Sequence, residues 1–173
     1  MPNFEEFNKY YEDHMPQVFG YVYMRTNRDR SLAEDIVSEI FLKAIENFEQ
    51  YSKEKGSFKS WIFQITKNYL IDYFRSNKNR ASSSIDDLAN ELKDPGDTKQ
   101  LAQNEIEKEI IIEAINTLPE NKKELVILRY FSGYSYEEIA KVTKDKENNI
   151  RVIIHRTLQD LKRKLEHIKY QSN

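Results

Sequence analysis

The last forty or so residues place the strongest constraint on the fold, because they carry two helix signals separated by a short polar break. Ser135 and Glu138 have the S-x-x-E spacing of a capping box, in which two side chains satisfy free backbone N–H groups at a helix start. After the polar stretch 145–149, apolar residues recur at steps of three and four from Ile150 to Ile168. The pattern predicts a short helix, a tight turn and a longer helix that begins near Lys146.

Two helices joined in this way are typical of a helix-turn-helix that binds DNA. In such motifs the second helix lies in the major groove, and its first turns contact base edges. Arg151 is a candidate for a guanine or a phosphate contact, and Arg156 for a phosphate contact, since guanidinium groups pair with both. Asn148 and Asn149 suit helix capping equally well. The candidate DNA contacts of this helix are Asn148, Asn149, Arg151, Val152, His155 and Arg156.

The net charge of −2 conceals two basic segments. Residues 57–80 hold five basic residues and one acidic residue, and residues 141–169 hold nine basic and four acidic residues. Basic surfaces supply the salt-dependent part of DNA affinity, because they release counterions from the phosphates. The charge distribution therefore indicates two separate surfaces for nucleic acid.

Apolar periodicity predicts an all-α chain of two small four-helix domains joined by a flexible acidic linker. In the N-terminal domain a first helix begins near Phe4 and a second restarts at Pro16, since proline suits a first helical turn. Ser31 and Glu34 form another capping box before the third helix, and the fourth ends near Ser76. We expect domains at 1–80 and 104–173, with the linker at 81–103.

The linker has few aliphatic residues to bury, and composition alone describes it as a disordered spacer. The C-terminal domain resumes helical periodicity at Ile106, pauses at Pro119 and continues from Leu125 into the helix-turn-helix. The acidic residues of the linker are Asp86, Asp87, Glu91, Asp94 and Asp97.

Several classes of function are not indicated. The sequence has no Gly-rich phosphate loop and no constellation of nucleophile and base, so we expect neither catalytic residues nor enzymatic activity. It has no cysteine and three histidines, so we expect no metal site and no cofactor. No apolar run approaches the roughly 20 residues of a membrane span, and the N-terminus lacks the features of a signal peptide. We expect a cytoplasmic protein.

The two halves together resemble the extracytoplasmic-function (ECF) sigma factors, the small promoter-recognition subunits of bacterial RNA polymerase. Residues 33–42, AEDIVSEIFL, are similar to the polymerase-binding helix of that family, and residues 58–68, FKSWIFQITKN, to its promoter-melting helix. Leu118-Pro119 and the run from Tyr134 to Arg156 resemble its minus-thirty-five reader. The order and spacing of these blocks, which cover nearly the whole chain, make the resemblance specific.

The resemblance implies a partner or a ligand for each block. Core RNA polymerase and promoter DNA are the expected partners, and an anti-sigma factor is a further one. The implied polymerase contacts are Asp35, Ser38, Glu39 and Leu42, which the apolar stripe of their helix leaves facing away from the core, so we expect Leu42 to be exposed. The implied minus-ten DNA contacts are Lys59, Trp61, Lys67, Asn68, Arg75, Lys78 and Arg80, with Asn68 at a pocket for a flipped base. Trp61 lies on the apolar stripe of its helix, so packing in the core is the alternative to stacking on a base.

The sequence leaves two rival functions open. A stand-alone helix-turn-helix regulator accounts for the C-terminal pattern but not for the basic aromatic stretch at 58–80. An all-helical adaptor requires both basic segments to be incidental, and it would show no steep salt dependence of nucleic-acid binding. We expect a sigma subunit that directs polymerase to a dedicated set of promoters and initiates melting.

Overall fold

The computed structural model describes residues 4–81 and 99–171, and for 79–81, 99–104 and 169–171 the description covers the backbone alone. All regular structure in these residues is helical, which confirms the predicted all-α class. The predicted linker acids Asp86, Asp87, Glu91, Asp94 and Asp97 lie outside the described residues. The helices are α1 (Phe4–Arg25), α2 (Arg30–Glu46), a 3-10 turn (Phe48–Gln50), α3 (Phe58–Ala81), α4 (Lys99–Asn116), α5 (Glu120–Tyr130), α6 (Tyr136–Thr143) and α7 (Glu147–Gln171).

Helix α1 contradicts the predicted break at Pro16, so the described N-terminal part has three α-helices and the 3-10 turn rather than four α-helices. Pro16 lies inside a single helix of 22 residues. An interior proline costs about 3 kcal/mol. Helix α1 buries Phe7 before the proline and Val18, Tyr21 and Val22 after it, and this burial offsets that cost.

The predicted capping box at Ser31 and Glu34 is also wrong. Asp29 caps α2 instead, because its side chain accepts a hydrogen bond from the backbone N–H of Leu32 at 2.9 Å. Glu34 pairs with Arg30 along the helix. The helix therefore begins earlier than the S-x-x-E spacing suggested. Aspartate and serine are both strong N-cap residues, and sequence spacing did not distinguish them.

The helix-turn-helix forms as predicted. The Ser135 hydroxyl accepts from the Glu138 N–H at 3.1 Å, and the Glu138 carboxylate accepts from the Ser135 N–H at 2.8 Å, which completes the capping box. Lys144 ends α6 in the left-handed conformation, with φ of 58°. The Asp145 carboxylate then accepts from the Lys146 N–H at 2.6 Å, and α7 begins at Glu147, one residue after the predicted start.

Two other helix boundaries differ from those predicted. Helix α3 continues past Ser76 to Ala81, and α4 begins at Lys99, within the segment predicted as linker. The apolar residues near the end of α3 include Ile71 and Phe74, which are exposed. Periodicity of buried residues therefore stops before the helix does, so it placed the end of α3 too early.

The N-terminal unit, α1 to α3, and the C-terminal unit, α4 to α7, pack against each other. Buried residues of both units belong to one hydrophobic cluster, in which Phe63 of α3 lies beside Tyr134 with ring centroids 5.8 Å apart. Gly20 of α1 passes so close to the turn after α5 that a Cβ on it would overlap the carbonyl oxygen of Phe131. We call the surface where α1 and α3 contact α5 and α6 the interdomain interface.

Candidate nucleic-acid and polymerase surfaces

Helix α7 exposes all six of its candidate DNA contacts. Its buried residues Ile150, Ile154 and Leu161 face the C-terminal unit. The remaining side leaves Val152 46% exposed. A basic helix with one packed face and one exposed face has the form of a recognition helix. The exposed candidates are Asn148, Asn149, Arg151, Val152, His155 and Arg156.

Acidic residues hold two of these candidates in place. Asn149 donates its side-chain amide to the Asp145 carboxylate at 2.8 Å. Arg151 donates through Nε at 3.0 Å and Nη2 at 2.6 Å to one oxygen of Glu147. Among the described residues, Arg156 takes part in neither a hydrogen bond nor an ion pair. Asn149, the third residue of α7, therefore bonds a side chain of the polar turn and not a backbone N–H, which is not the capping contact considered for it. Arg156 is unengaged among the described residues.

Lys59 on α3 is held at the interdomain interface. Its Nζ donates to the Glu138 carboxylate at 2.7 Å and lies 4.3 Å from the centroid of the Tyr134 ring. The side chain of Lys59 is only 12% exposed. Tyr134 also donates its hydroxyl to the Lys59 carbonyl, at 3.4 Å. A lysine predicted to contact DNA is therefore engaged by the C-terminal unit of the same chain.

Lys67, about two turns further along α3, is paired in the same way. Its Nζ lies 3.0 Å from the Glu124 carboxylate, which also accepts a hydrogen bond from the Tyr21 hydroxyl at 3.4 Å. Two more ion pairs join the units, Arg25 with Glu120 and Arg28 with Glu109. The interface thus couples cations of the N-terminal unit to carboxylates of the C-terminal unit.

The pKa values of three groups reflect this burial. Burial raises the pKa of Tyr21 and of Tyr134, and the nearby carboxylates of Glu124 and Glu138 raise them further. Both hydroxyls therefore remain protonated donors. Burial also acts to raise the pKa of Glu138, but hydrogen bonds from Lys59 and from the Ser135 backbone prevail and lower it below 4.5. Glu138 is consequently ionised at neutral pH, when it both caps α6 and binds Lys59.

A groove of about 640 Å³ lies between α2 and α3. Trp61 and Asn68 line it together with Tyr69 and Tyr73. Trp61 is half-buried, with its ring centroid 5.3 Å from that of Tyr51, so it packs on the aromatic core and also borders the groove. An open groove with aromatic rings and an amide suits an unstacked base, which needs a stacking surface and hydrogen-bonding groups.

The other candidates on α3 lie toward its C-terminal half. Arg75 is exposed and donates to the Asp72 carboxylate at 2.8 Å, and Lys78 is exposed. The side chain of Arg80 lies outside the described residues. Lys59 and Lys67 do not line the groove that holds Trp61 and Asn68. The structure therefore distributes the predicted minus-ten set between the groove, the C-terminal half of α3 and the interdomain interface.

Helix α2 presents the candidate polymerase contacts on one exposed side. The helix buries Ile36, Val37 and Ile40 against its own unit. Leu42 is 55% exposed, as its position outside the apolar stripe predicted. The Ser38 hydroxyl donates to the Glu34 carbonyl at 2.9 Å. The exposed set is Asp35, Ser38, Glu39 and Leu42.

The interdomain interface could not be predicted from the sequence alone. The residues of its pairs, such as Lys59 with Glu138 and Lys67 with Glu124, are far apart in the chain, and no periodicity links them. One feature in the sequence did point to it. Gly20 lies inside an otherwise helical pattern, where glycine costs about 1 kcal/mol relative to alanine, and this cost is the signal that a close approach could explain.

Comparison with known proteins identifies the two units. Residues 10–80 match the family described as Sigma-70 region 2, and residues 108–161 match Sigma-70, region 4. The ECF RNA polymerase sigma factor SigM of Bacillus subtilis is 32% identical over 152 residues, covering 88% of this chain and 90% of SigM. The sigma factor BldN of Streptomyces coelicolor is 26% identical over 93% of this chain and 61% of BldN.

A solved structure has the same fold. The sigma factor RpoE of Bartonella quintana, in complex with the anti-sigma factor NepR, superposes with a TM-score of 0.66 at 20% identity and covers 94% of this chain and 98% of that one. The helical units and their matches define a sigma-70-type protein with regions 2 and 4. The chain belongs to the ECF sigma factors.

As a member of this family, the chain is a promoter-specificity sigma subunit, a non-enzymatic component of transcription initiation. The match to region 2 accounts for the stretch that a stand-alone helix-turn-helix regulator leaves unexplained, so that alternative has no support. Within the described ranges, none of the helices combines the length and apolar character needed to cross a bilayer.

Proposed function

We propose that this sigma subunit directs core RNA polymerase to a dedicated set of promoters by dividing three contacts between its units. Residues 1–80 bind polymerase and hold the melted minus-ten strand, and residues 104–173 read the minus-thirty-five duplex. The exposed contact face of α7 is the observation that carries the proposal, since it leaves Val152 and Arg151 accessible on a packed basic helix.

Reading of the duplex rests on the chemistry of α7. The guanidinium of Arg151 is the group best suited to a guanine, because a bidentate Arg–guanine pair contributes about 1–3 kcal/mol of discrimination. Arg156 is exposed and unengaged among the described residues, which suits a phosphate contact. Val152 presents methyl groups that suit the methyl group of thymine. Asn148, Asn149 and His155 complete the exposed face.

Capture of the minus-ten strand rests on the groove of α2 and α3. Holding a base outside the stack requires a pocket that replaces stacking and hydrogen bonds. Trp61 supplies a ring at the edge of the groove, and Asn68 supplies an amide. Arg75, Lys78 and Arg80, further along α3, are the proposed contacts to the adjacent phosphates.

The polymerase contact rests on the exposed side of α2. Leu42 adds an exposed apolar residue to this side, and Glu39 and Asp35 lie about one and two turns before it. An exposed leucine with a polar surround has the character of a small interface core. We propose that Asp35, Ser38, Glu39 and Leu42 dock on core polymerase.

Binding both promoter elements requires the interdomain interface to open. The two elements are centred roughly 25 base pairs apart, which is about 85 Å along the duplex at ~3.4 Å per pair. A compact chain of 173 residues has a radius of gyration of only about 16 Å. The stretch 82–98 spans up to roughly 56–61 Å when extended. Because each unit adds its own size to this span, separated units reach both elements. Units joined through Lys59 and Glu138 do not.

Opening also releases the cations of α3. Lys59 and Lys67 are neutralised by Glu138 and Glu124 while the interface is closed. We propose that they exchange these carboxylates for DNA phosphates in the promoter complex. The acids of the 81–103 segment are proposed to lie against polymerase surfaces that otherwise bind nucleic acid.

We further propose a cytoplasmic location and regulation by an anti-sigma factor. The similar sigma factor RpoE is described in complex with the anti-sigma factor NepR, and CnrH in complex with the cytosolic domain of CnrY. Affinity capture from unstressed cells tests the second part. Recovery of a stoichiometric protein other than polymerase supports it, and recovery of polymerase alone contradicts it.

In vitro transcription tests the function as a whole. Fragmented genomic DNA is transcribed by bacterial core polymerase with and without the protein, and transcript starts are mapped by sequencing. We expect defined starts only with the protein, with two shared upstream elements at constant spacing. Arg151→Ala should lower use of those starts. The absence of new starts, together with no association with core polymerase, would overturn the proposal.

A further inference from the structure

Tyr136, the first residue of α6, has two guanidinium groups over its ring. The Cζ atom of Arg129 lies 4.5 Å from the ring centroid, and that of Arg151 lies 4.3 Å from it. Both distances are well within the range of a cation–π contact. Tyr136 therefore joins α5, α6 and α7 at the exposed start of the recognition helix.

The two arginines have different roles in this cluster. Arg129 is half-buried and donates through Nη1 to the Tyr134 carbonyl at 3.0 Å, so it fixes the turn between α5 and α6. The side chain of Arg151 is 54% exposed. Arg129 thus anchors the ring from within the unit, and Arg151 extends from the ring toward solvent.

The contacts of Arg151 leave one edge of its guanidinium available. Its Nε and Nη2 donate to the same oxygen of Glu147. Among the described residues, no acceptor engages Nη1. The edge formed by Nη1 and Nη2 is the fork that suits the two acceptors of guanine in the major groove. The Tyr136 ring contacts the guanidinium at 4.3 Å and Glu147 binds one edge of it, so the two contacts together restrain its orientation.

A fixed plane matters because Arg recognises bases through geometry. A flexible arginine loses conformational freedom when it forms two parallel hydrogen bonds, and it also finds phosphates at other angles. An arginine already held in one plane loses less, and it favours the base whose acceptors match. Positioning of Arg151 therefore affects discrimination between bases more than total affinity.

We infer that Tyr136 is a positioning residue for base recognition and that its cation–π contact with Arg151 sets the guanine preference of that arginine. The inference rests on the proposed reading role of α7. Arg156 provides the contrast, since among the described residues its side chain takes part in neither a hydrogen bond nor an ion pair. Arg151 discriminates bases because it is held, whereas Arg156 follows the phosphates.

Base enrichment by the holoenzyme tests the inference. Core polymerase with wild-type or variant protein binds duplexes from one mapped promoter in which only the minus-thirty-five element is randomised, and bound DNA is sequenced. Arg151→Ala identifies the base pair that Arg151 reads, because preference at that position disappears. Tyr136→Leu should lower preference at the same position by about three- to fivefold, consistent with loss of an exposed cation–π contact.

Matched variants separate positioning from folding. Tyr136→Phe keeps the ring and should retain the preference within about twofold. Glu137→Gln changes the next residue of α6, which pairs with Lys141, and should change nothing at that position. In the Arg151→Ala background, Tyr136→Leu should have no additional effect on that position. Thermal melts of each variant show whether the unit remains folded.

Each result either supports or overturns the inference. Preference that survives Tyr136→Leu overturns it, and so does a loss that is equal for all sequences or equal in Tyr136→Phe. If Tyr136→Leu melts early, the enrichment is repeated below its melting temperature, where the same loss of preference is expected. Glu147→Gln, which removes the charge beside Arg151, should also broaden the preference. If the wild-type holoenzyme enriches no upstream sequence, the proposed reading role of α7 is wrong, and the inference falls with it.

Discussion

The two basic surfaces of this sigma factor differ in how their charges are engaged. On α7, the candidate DNA contacts are exposed, and their polar partners are neighbours in the same helix or turn, as for Arg151 with Glu147. On α3, Lys59 and Lys67 are paired with carboxylates of the other unit, about one domain away in the sequence. The surface on α7 is exposed, and the surface on α3 is partly covered by the C-terminal unit.

The two surfaces therefore differ in whether DNA can reach their cations while the units are packed together. An exposed i,i+4 pair contributes about 0.3–0.5 kcal/mol and yields easily to a phosphate. The pairs at the interdomain interface are instead supported by apolar burial, including Phe63 against Tyr134. Access of DNA to Lys59 and Lys67 therefore depends on separation of the units, whereas access to α7 does not.

The substitution Gly20→Ala should have the largest effect on the packing of the two units, which keeps Lys59 and Lys67 covered. A Cβ at this position overlaps the Phe131 carbonyl, and overpacking of this kind costs about 1–3 kcal/mol. In a separated N-terminal unit the same change favours α1 by about 1 kcal/mol, since alanine is the better helix former. We expect the units to separate, with a radius of gyration well above about 16 Å by small-angle X-ray scattering.

Lys9→Ala is the control for Gly20→Ala, because Lys9 is exposed on the same helix. It should leave the scattering profile unchanged. A compact Gly20→Ala protein would show that the interface tolerates a shift of α1 and that its packing is not the constraint described here.

Substitutions in α7 should separate specificity from phosphate binding. Arg151→Ala should cost about 1–3 kcal/mol on promoters with the preferred base and little on others. Arg156→Ala should weaken all duplexes alike and reduce the salt dependence by about one counterion. Titrations of holoenzyme on two promoter sequences at several salt concentrations measure both effects. Equal behaviour of the two variants would remove the distinction between a held and an unheld arginine.

Removing the charge of Glu138, whose side chain is partly exposed, should weaken the closure of the interface by roughly 1 kcal/mol. Glu138→Gln keeps a capping-box side chain at α6 but loses the ion pair with Lys59. Binding of single-stranded DNA to the free protein should rise by up to about fivefold, which corresponds to that energy. Glu137→Gln is the matched control, since it removes the neighbouring charge and leaves Lys59 paired.

The same pair predicts an acid dependence of domain closure. The pKa of Glu138 is lower in the folded chain than its ordinary 4.5, because hydrogen bonds from Lys59 and the Ser135 backbone outweigh the effect of burial. Its contribution is therefore complete above pH 4.5 and is lost as the pH falls through the lowered value. The radius of gyration measured by scattering should increase as the pH falls from 6. This increase with falling pH should be smaller in Glu138→Gln. An identical pH profile would contradict the role of Glu138.

The smallest expected effect concerns the turn of the helix-turn-helix. Lys144 adopts a left-handed conformation that glycine adopts without steric cost. Lys144→Gly should stabilise the C-terminal unit by about 0.5–1 kcal/mol, seen as a rise of about 1–4 °C in Tm, without changing the interface. Lys146→Gly, at a residue without positive φ, should lower Tm. A lower Tm in both would mean that the turn gains nothing from glycine.

Local patterns predicted the parts of this molecule that local interactions determine. The capping box at Ser135, the start of α7 and the exposure of Leu42 all follow from residues within two turns of each other. Predictions were wrong where several residues competed locally, as at Asp29 and Ser31, or where tertiary burial outweighed propensity, as at Pro16. The positions of Lys59 and Lys67 depended on a partner surface that only the fold brings near.

Energy transfer between the two units tests the central claim most directly. The chain has no cysteine, so Gln64→Cys on α3 and Lys141→Cys on α6 place one dye at an exposed position of each unit. We predict high transfer in the free protein and a large decrease when core polymerase and a mapped promoter are added. High transfer that persists in transcribing complexes, or low transfer in the free protein, would contradict the claim that Lys59 and Lys67 on α3 stay covered until the units separate.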